Sequence, residues 1–151
     1  MLSAWRIVRE KHVATALSGE GAAKFGGRWN MPGTRMTYTS ESQSLAALEL
    51  LVHLNPPVFF RYKSIQIQFE ETLVEFVPSQ ELPPDWTAEP PSLLTQRFGS
   101  RWASGYRSAI LAVPSAIIST ETNYLLNPLH ADFSRIKIEQ ARDFAFDARL
   151  L

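Results

Sequence analysis

The residues best suited to chemistry lie in one short stretch, Gly21–Glu49. A glycine-rich loop, Gly26–Asn30, carries Arg28, the strand predicted after it carries Tyr38, and the helix predicted next carries Glu49. Consecutive elements are usually neighbours in space, so these three side chains are expected to fold close together. A cation, an aromatic ring and an anion in one place would suit a small molecule that carries both charge and a ring.

Each of these residues also has an ordinary structural interpretation. The two loop glycines could supply positive φ angles while Trp29 plugs the core. Tyr38 could be a core tyrosine with a hydrogen-bonded hydroxyl, and Glu49 could pair with His53 one helical turn later. Spacing alone leaves both interpretations open, because structural ion pairs resemble functional sites.

The number of carboxylates narrows the chemistry. Hydrolysis of a neutral glycoside normally uses two, because the leaving group must be protonated, and only Glu49 is well placed here. The nicotinamide of NAD⁺ leaves as a neutral molecule, so one carboxylate that stabilises the ribosyl oxocarbenium ion would suffice. An arginine can grip a pyrophosphate with two parallel bonds, and a tyrosine can stack on the nicotinamide. One carboxylate, one arginine and one tyrosine would therefore be sufficient for cleavage of NAD⁺, which would be a substrate and not a cofactor.

Several other chemistries find no support in the sequence. The absence of cysteine excludes disulfides, a thiolate nucleophile and a cysteine zinc site. The three histidines (His12, His53 and His130) are scattered without an HExxH motif, so no metal is expected. Walker, Rossmann and G-x-S-x-G motifs are also missing. A Ser115–His130 nucleophile pair is conceivable, but nothing positive indicates it.

Composition predicts one globular domain, 1–151. The chain has 151 residues, of which 45% are apolar. Lys+Arg and Asp+Glu both number 15, so there is no basic excess for direct nucleic-acid binding. No apolar run approaches the ~20 residues of a membrane span, and the N-terminus lacks the pattern of a secretion signal. We expect no membrane association and a cytoplasmic location.

The elements that position these residues are short strands with few helices. Strands are predicted at Ala4–Val8, Arg35–Thr39, Phe59–Phe69, Leu73–Val77 (after a tight Glu70-Glu71 connection), Ala109–Val113, Asn123–Leu126, Ile136–Ile138 and Phe144–Phe146. Helices are predicted at Ser40–Leu54 and Ser92–Ser104, with a short one in Lys11–Gly21 that Gly19 and Gly21 end. Strands do not alternate with helices, which favours an α+β fold with a mixed, mostly antiparallel sheet.

The helix that carries Glu49 is predicted to be largely buried. Ser40 and Gln43 fit a capping box, with Ser42 as the alternative cap, and Asn55-Pro56-Pro57 should stop the helix. A carboxylate on its apolar face needs a partner, for which Arg28 and Arg6 are candidates. Arg6 lies between Trp5 and Ile7, so it is either a solvated strand charge or a cation that points into a cleft.

Two further segments bear on a site. The proline-rich segment Pro78–Pro91 reads as an irregular surface excursion. Ser115 ends a predicted core strand, where a turn residue is common but a binding hydroxyl can also be held rigidly. Asn127 and His130 belong to a turn rich in hydrogen-bonding side chains.

A family resemblance runs along nearly the whole chain. The matching runs are W-R at Trp5-Arg6, G-G-R-W-N-x-P-G at Gly26–Gly33, Y-T-S at Tyr38–Ser40, A-A-L-E at Ala46–Glu49, V-P-S-A at Val113–Ala116, N-Y-L-L-N-P-x-H at Asn123–His130 and F-D-x-R-L at Phe146–Leu150. Together, in this order, they resemble the RES-domain toxins. That family is named for an arginine, a glutamate and a serine, which fall here on Arg28, Glu49 and Ser115.

The resemblance implies a fold related to the ADP-ribosyltransferase toxins. It implies the toxin of a type II toxin–antitoxin pair that depletes cellular NAD⁺, by hydrolysis or by phosphorolysis, and arrests growth. The expected partner is an Xre-like helix-turn-helix antitoxin that covers the active site. The sequence does not fix the oligomeric state, and a homodimer within that complex is one possibility because dimers are the commonest homo-oligomers.

Residue roles follow from the resemblance. Arg28 would hold the pyrophosphate with help from Arg6, and Tyr38 would stack on or orient the nicotinamide. Glu49 would bond the ribose and stabilise the oxocarbenium ion, and Ser115 would position the substrate or the nucleophile. Asn127 would contact substrate or only form its turn. Two rival functions remain: transfer of ADP-ribose to a macromolecule, and a non-catalytic module that binds a nucleotide or a partner.

Overall fold

The computed structural model describes residues 1–54 and 60–151, and the strands in them form one curled sheet. Its strands are β1 (Leu2–Arg9), β2 (Thr37–Ser40), β3 (Tyr62–Phe69), β4 (Val74–Phe76), β5 (Ile110–Pro114), β6 (Thr122–Leu126), β7 (Lys137–Ile138) and β8 (Arg142–Phe144). The order is β4-β5-β6-β2-β1-β3-β7, and β8 also pairs with β3. Among these strands only β4 and β5 are parallel. The predicted α+β fold is confirmed.

Three α-helices accompany the sheet in the described residues. They are α1 (Glu20–Phe25), α2 (Gln43–Leu51) and α3 (Leu93–Ser104). Short 3-10 turns lie at Glu10–Thr15, Glu71–Leu73, Ser79–Glu81, Ala131–Arg135 and Ala148–Leu150. Helix α3 matches its prediction and is capped by Ser92, whose side chain accepts from the Thr95 N–H.

The helix predicted in Lys11–Gly21 is wrong in kind and in its end. Its first part is a 3-10 turn, and Gly19 begins α1 instead of ending a helix. Gly19 has a φ of +73°, and a Cβ there would lie 2.8 Å from the Met36 nitrogen. The glycine therefore serves a close approach of two backbone segments, which a sequence pattern does not reveal.

Helix α2 is shorter and more exposed than predicted. Ser42 is the cap, because its hydroxyl accepts from the Leu45 N–H at 3.1 Å, while Ser40 belongs to β2. Only Leu45 and Ala46 are buried within the helix. The helix covers the sheet with one side and exposes apolar residues on the other, so it is not largely buried. Its predicted stop at Asn55-Pro56-Pro57 lies outside the described residues.

Two strand predictions also change. The Leu73–Val77 strand forms, but β4 crosses to the far end of the sheet and pairs with β5 instead of returning beside β3. The last strand ends at Phe144 instead of beginning there, since β8 is Arg142–Phe144. Residue Phe59, the predicted start of β3, is outside the described residues.

Alternation along the strands divides the side chains between two faces. Ala4, Ile67, Ile110 and Leu126 are fully buried in the main core on one face. The opposite face packs against the loop that follows α1 and against α3, around the buried side chains Trp29, Met36, Trp102, Leu111, Val113 and Leu125. It also packs against α2, through Ile7, Ala46 and Tyr62. Tyr38 and Asn123 belong to this second face, because Tyr38 pairs with Leu125 in β6 and Asn123 pairs with Val113 in β5.

Candidate active site

The carboxylate of Glu49 is the centre of a buried polar cluster at the end of β5 and β6. Its Oε1 accepts a hydrogen bond from the Ser115 hydroxyl at 2.7 Å and another from the Asn123 amide at 2.7 Å. Ser115 is completely buried and Asn123 is 9% exposed. Glu49 forms no ion pair with Arg28 or Arg6 in the part of the chain that the structure describes. The predicted arginine partner of Glu49 was therefore wrong.

The Ser115 hydroxyl is fully engaged. It donates to Glu49 and accepts from the backbone N–H groups of Ile117 and Ile118 at 3.0 and 3.1 Å. The base bonded to Ser115 is thus the Glu49 carboxylate, which also accepts from Asn123. His130 lies elsewhere, where its side chain accepts from the Asp132 N–H and caps the 3-10 turn that follows it. The arrangement suits a serine that orients a carboxylate and not one that attacks a substrate.

Asn123 was missed by sequence reasoning, although a signal was available. It begins a predicted strand, as Ser115 ends one, and a polar residue at a core strand end can be held rigidly. Its Oδ1 accepts from the Ser40 hydroxyl at 2.7 Å. Ser40, predicted as a helix cap, is thereby part of the cluster.

Arg28 lies in a separate cluster built by the proline-rich segment. Its Nη1 donates to the carbonyl oxygens of Trp86 at 2.9 Å and Ala88 at 2.7 Å. Its Nη2 pairs with the Glu89 carboxylate at 2.7 Å. The Arg28 side chain is 18% exposed and that of Glu89 is 72% exposed. Because its charged partner is an exposed surface carboxylate, the guanidinium can exchange that anion for another.

Tyr38 connects the arginine loop to the sheet. Its hydroxyl donates to Asn30 Oδ1 and accepts from the Trp29 N–H at 3.0 Å. Burial raises the pKa of Tyr38, while the Trp29 bond and the positive charges of Arg28 and Arg6 act in the opposite direction. The tyrosine therefore stays protonated. It lies two residues before Ser40 on the same face of β2, a separation of roughly 7 Å.

The loop that presents Arg28 is held by close contacts. Asn30 is fully buried, and its amide donates to the carbonyl oxygens of Ala22, Met31 and Thr34. Trp29 is 2% exposed and stacks on Trp86 with ring centroids 6.2 Å apart, which confirms the predicted plug. A Cβ on Gly27 would lie 2.6 Å from the Tyr38 hydroxyl, so glycine permits that hydroxyl to approach.

Helix α3 supports the same loop from one face. Gln96 donates to the Gly27 carbonyl at 3.0 Å, and the Ser100 hydroxyl accepts from the Met31 N–H at 2.8 Å. Gly99 lies between them on this face, since residues three and four apart are neighbours on a helix. The position of Arg28 is thus set by α3 and the proline-rich segment together.

Two predicted binding residues lie away from the Glu49 cluster. Arg6 pairs with Ile65 and belongs to the face opposite Trp5 and Ser40. Its guanidinium donates to the carbonyl oxygens of Ala16 and Tyr38, and burial lowers its pKa. Arg6 therefore supports the backbone of the Tyr38 strand.

Asn127 has a comparable structural role. It follows the opposite end of β6 from Asn123, is 2% exposed, and donates to the Ala103 carbonyl. Its Oδ1 accepts from the Leu129 N–H, which closes the turn. The structure thus favours the turn-forming alternative for Asn127.

A cavity of about 210 Å³ lies at the ends of β5 and β6, and Glu49, Ser115 and Asn123 are not among the residues that line it. Its walls are Val77 after β4, Leu82 in the proline-rich segment, and Val113, Pro114 and Thr122 at the ends of β5 and β6. Ser115 directly follows its wall. Among the described residues no group of three His, Cys, Asp or Glu side chains could hold a metal ion, and no helix is long and apolar enough to cross a membrane.

The fold resembles that of a solved toxin–antitoxin system. A chain in the crystal structure of the M. tuberculosis MbcT–MbcA toxin–antitoxin complex superimposes with a TM-score of 0.73 over 95% of this chain and 84% of that one. The two sequences are 18% identical, so this likeness concerns the fold.

Sequence comparison establishes the family. The RES domain family model matches residues 3–147. "Prs ADP-ribosylating toxin" of Sphingobium sp. (strain YBL2) is 40% identical, over 99% of this chain and 96% of the relative. "Toxin Res" of Photorhabdus laumondii subsp. laumondii is 38% identical, over 97% and 96%. The chain belongs to the RES domain family, and it is a toxin of that family.

Proposed function

We propose that this toxin cleaves the bond between nicotinamide and ribose in NAD⁺. The observation that carries the proposal is the geometry of Glu49, a single carboxylate fixed by two donors on one oxygen. A carboxylate held in this way is preorganised to stabilise positive charge that develops in a transition state. Depletion of NAD⁺ would then arrest growth.

Glu49 acts on the ribose. Both of its hydrogen bonds use Oε1, and within residues 1–54 and 60–151 none reaches Oε2. Oε2 accepts a bond from a hydroxyl of the nicotinamide ribose. The negative charge then lies next to the oxocarbenium ion, and the attraction between them grows as positive charge develops in the transition state.

The bond balance requires no general acid. The carbon–nitrogen bond breaks and its electron pair returns to the nicotinamide ring, which leaves neutral. Water or inorganic phosphate then attacks the ribosyl carbon. With water the products are ADP-ribose, nicotinamide and one proton, and with phosphate the product is a phosphorylated ADP-ribose.

Arg28 binds the pyrophosphate by exchange of its anion. The substrate's phosphate oxygens replace the exposed Glu89 carboxylate at Nη2, while the bonds from Nη1 to Trp86 and Ala88 keep the guanidinium oriented. Tyr38 offers the edge or face of its ring on the same side of the sheet as the Glu49 cluster. No cofactor and no metal take part.

A second candidate is transfer of ADP-ribose to a macromolecule. The name of the Sphingobium relative, "Prs ADP-ribosylating toxin", favours it. Nicotinamide departs in the same way in both reactions, so the residues around Glu49 serve either acceptor. The difference lies in whether water, phosphate or a macromolecule captures the oxocarbenium ion.

The non-catalytic binding module receives less support. A completely buried Arg28–Glu49 pair would have favoured it, and Arg28 pairs instead with a surface carboxylate.

We also propose an antitoxin partner of the Xre-like helix-turn-helix class that covers this site. A homodimer within that complex and a cytoplasmic location stay predictions.

The proposal is tested by incubating antitoxin-free protein with NAD⁺, with and without phosphate. Nicotinamide release supports glycosidic cleavage, and dependence on phosphate identifies the nucleophile. NAD⁺ labelled in the adenylate part separates the second candidate, because only transfer leaves label on a macromolecule.

Glu49→Gln tests the role of the carboxylate charge with the least structural change. Its amide oxygen can still accept from Ser115 and Asn123, so the fold is retained while the charge is lost. We expect a loss in kcat of at least about 10²-fold. Full activity in this variant would overturn the mechanism, and binding of NAD⁺ without any release from wild-type protein would favour the binding module.

A further inference from the structure

The orientation of the Asn123 amide is decided by its neighbours. An ionised carboxylate only accepts hydrogen bonds, so the NH₂ group of Asn123 must face Glu49 Oε1. The amide oxygen then faces Ser40, whose hydroxyl donates to it at 2.7 Å. The result is a directed chain in which Ser40 orients Asn123 and Asn123 donates to Glu49.

Packing alone does not fix the Glu49 side chain. Glu49 lies in the last turn of α2, where its neighbours Leu48 and Val52 are 36% and 59% exposed. Asn123 and Ser40 are instead buried on two inner strands of the sheet, near the strand ends, where they pair across β2 and β6. The chain of hydrogen bonds therefore ties a half-buried carboxylate in the last turn of a helix to buried side chains of the sheet.

We propose that Asn123 is a positioning residue for Glu49, with Ser40 holding its amide in the donating orientation. This role rests on the proposed function of Glu49. Asn123 holds Oε1 so that Oε2 is presented to the substrate ribose, and it does not itself contact the reacting atoms. Ser115, directly after β5, supplies the second support.

The test compares three variants: Asn123→Ala removes two side-chain hydrogen bonds, and the other two variants remove one each. Asn123→Ala deletes the donor, and Ser40→Ala deletes the group that orients it. Thr39→Val is the control: the Thr39 hydroxyl donates to the Tyr124 carbonyl across the same two strands, but on the other face of the sheet.

The expected results separate positioning from stability. Asn123→Ala should lower kcat for nicotinamide release by about 10- to 100-fold, with KM changed by less than about three-fold. The reason is that Asn123 holds Glu49, whose negative charge acts on the positive charge that develops in the transition state. Ser40→Ala should lower kcat less. Thr39→Val should lower the melting temperature and leave kcat within about two-fold of wild type.

Asn123→Asp adds a readout that a merely structural role would not move. It places a second carboxylate against Oε1, and two carboxylates in contact share a proton. The protonated Asp regains a donor, so the activity of this variant relative to wild type should rise as the pH is lowered. A loosened fold would not produce a rise at low pH.

A crystal structure of Asn123→Ala keeps this proposal distinct from the proposed function. We expect the Glu49 carboxylate to leave its position beside Ser115. If wild-type protein releases no nicotinamide, the proposed function fails, and this structure still decides the positioning role. An unmoved carboxylate, or a wild-type kcat in Asn123→Ala, would overturn the role of Asn123.

Discussion

Substitution of Gly99 by alanine has opposite expected effects in an isolated helix and in this fold. Gly99 lies inside α3, and in a helix interior alanine stabilises the helix by roughly 1 kcal/mol relative to glycine. A Cβ at this position, however, would lie 1.7 Å from the Trp29 carbonyl oxygen and 2.8 Å from its carbon. An ordinary contact needs about 3.5 Å, and no rotamer change moves a backbone atom.

The loss of stability in Gly99→Ala follows from the contacts between α3 and the Trp29 loop that must separate. Overpacking in a filled core costs about 1–3 kcal/mol. If α3 withdraws from the loop, the bonds from Gln96 to Gly27 and from Met31 to Ser100 are also weakened, each worth about 1 kcal/mol. After subtraction of the helix gain, the net loss is about 2–4 kcal/mol. At about 2–4 °C per kcal/mol, the melting temperature should fall by roughly 4–16 °C.

The assay is thermal unfolding of Gly99→Ala beside Gly21→Ala. Gly21 lies in α1, and a Cβ there meets nothing within 4 Å. Gly21→Ala should therefore leave the melting temperature unchanged or raise it slightly. Gly99→Ala should also lower NAD⁺ cleavage, because Arg28 is adjacent to the displaced Trp29. A melting temperature at or above wild type in Gly99→Ala would refute the close-packing argument.

Three other substitutions test the site. Glu89→Gln removes the exposed anion from Arg28, an interaction worth about 0.2–1 kcal/mol, so KM for NAD⁺ should fall by up to about five-fold; a raised KM in steady-state kinetics would contradict the exchange. Tyr38→Phe leaves the Trp29 N–H and Asn30 Oδ1 without their partner and should cost about 1–3 kcal/mol in urea unfolding, whereas unchanged stability would mean that the hydroxyl is dispensable. Ser115→Ala should lower kcat by about 10- to 100-fold and leave measurable release of nicotinamide, while complete loss in a folded variant would indicate a nucleophile.

The sequence by itself determined the local parts of this toxin. Alternation predicted the long β3 strand, apolar residues at helical spacing predicted α3, and the absence of regular strand–helix alternation indicated the α+β class. These features depend on residues a few positions apart, which the pattern contains directly. Arg28, Tyr38 and Glu49 could be singled out for the same reason, because they fall in one continuous stretch.

Only the tertiary structure decided which side chains meet. Glu49 lies 66 positions from Ser115 and 74 from Asn123, and Arg28 lies 61 positions from Glu89. Such pairs depend on strand order and register: a change of one residue in register turns a side chain to the other face. The same register placed Arg6 away from Glu49, and the approach of α3 to Trp29 reversed the expected effect of a glycine. Local preference does not encode these contacts, because they arise when distant segments close on one sheet.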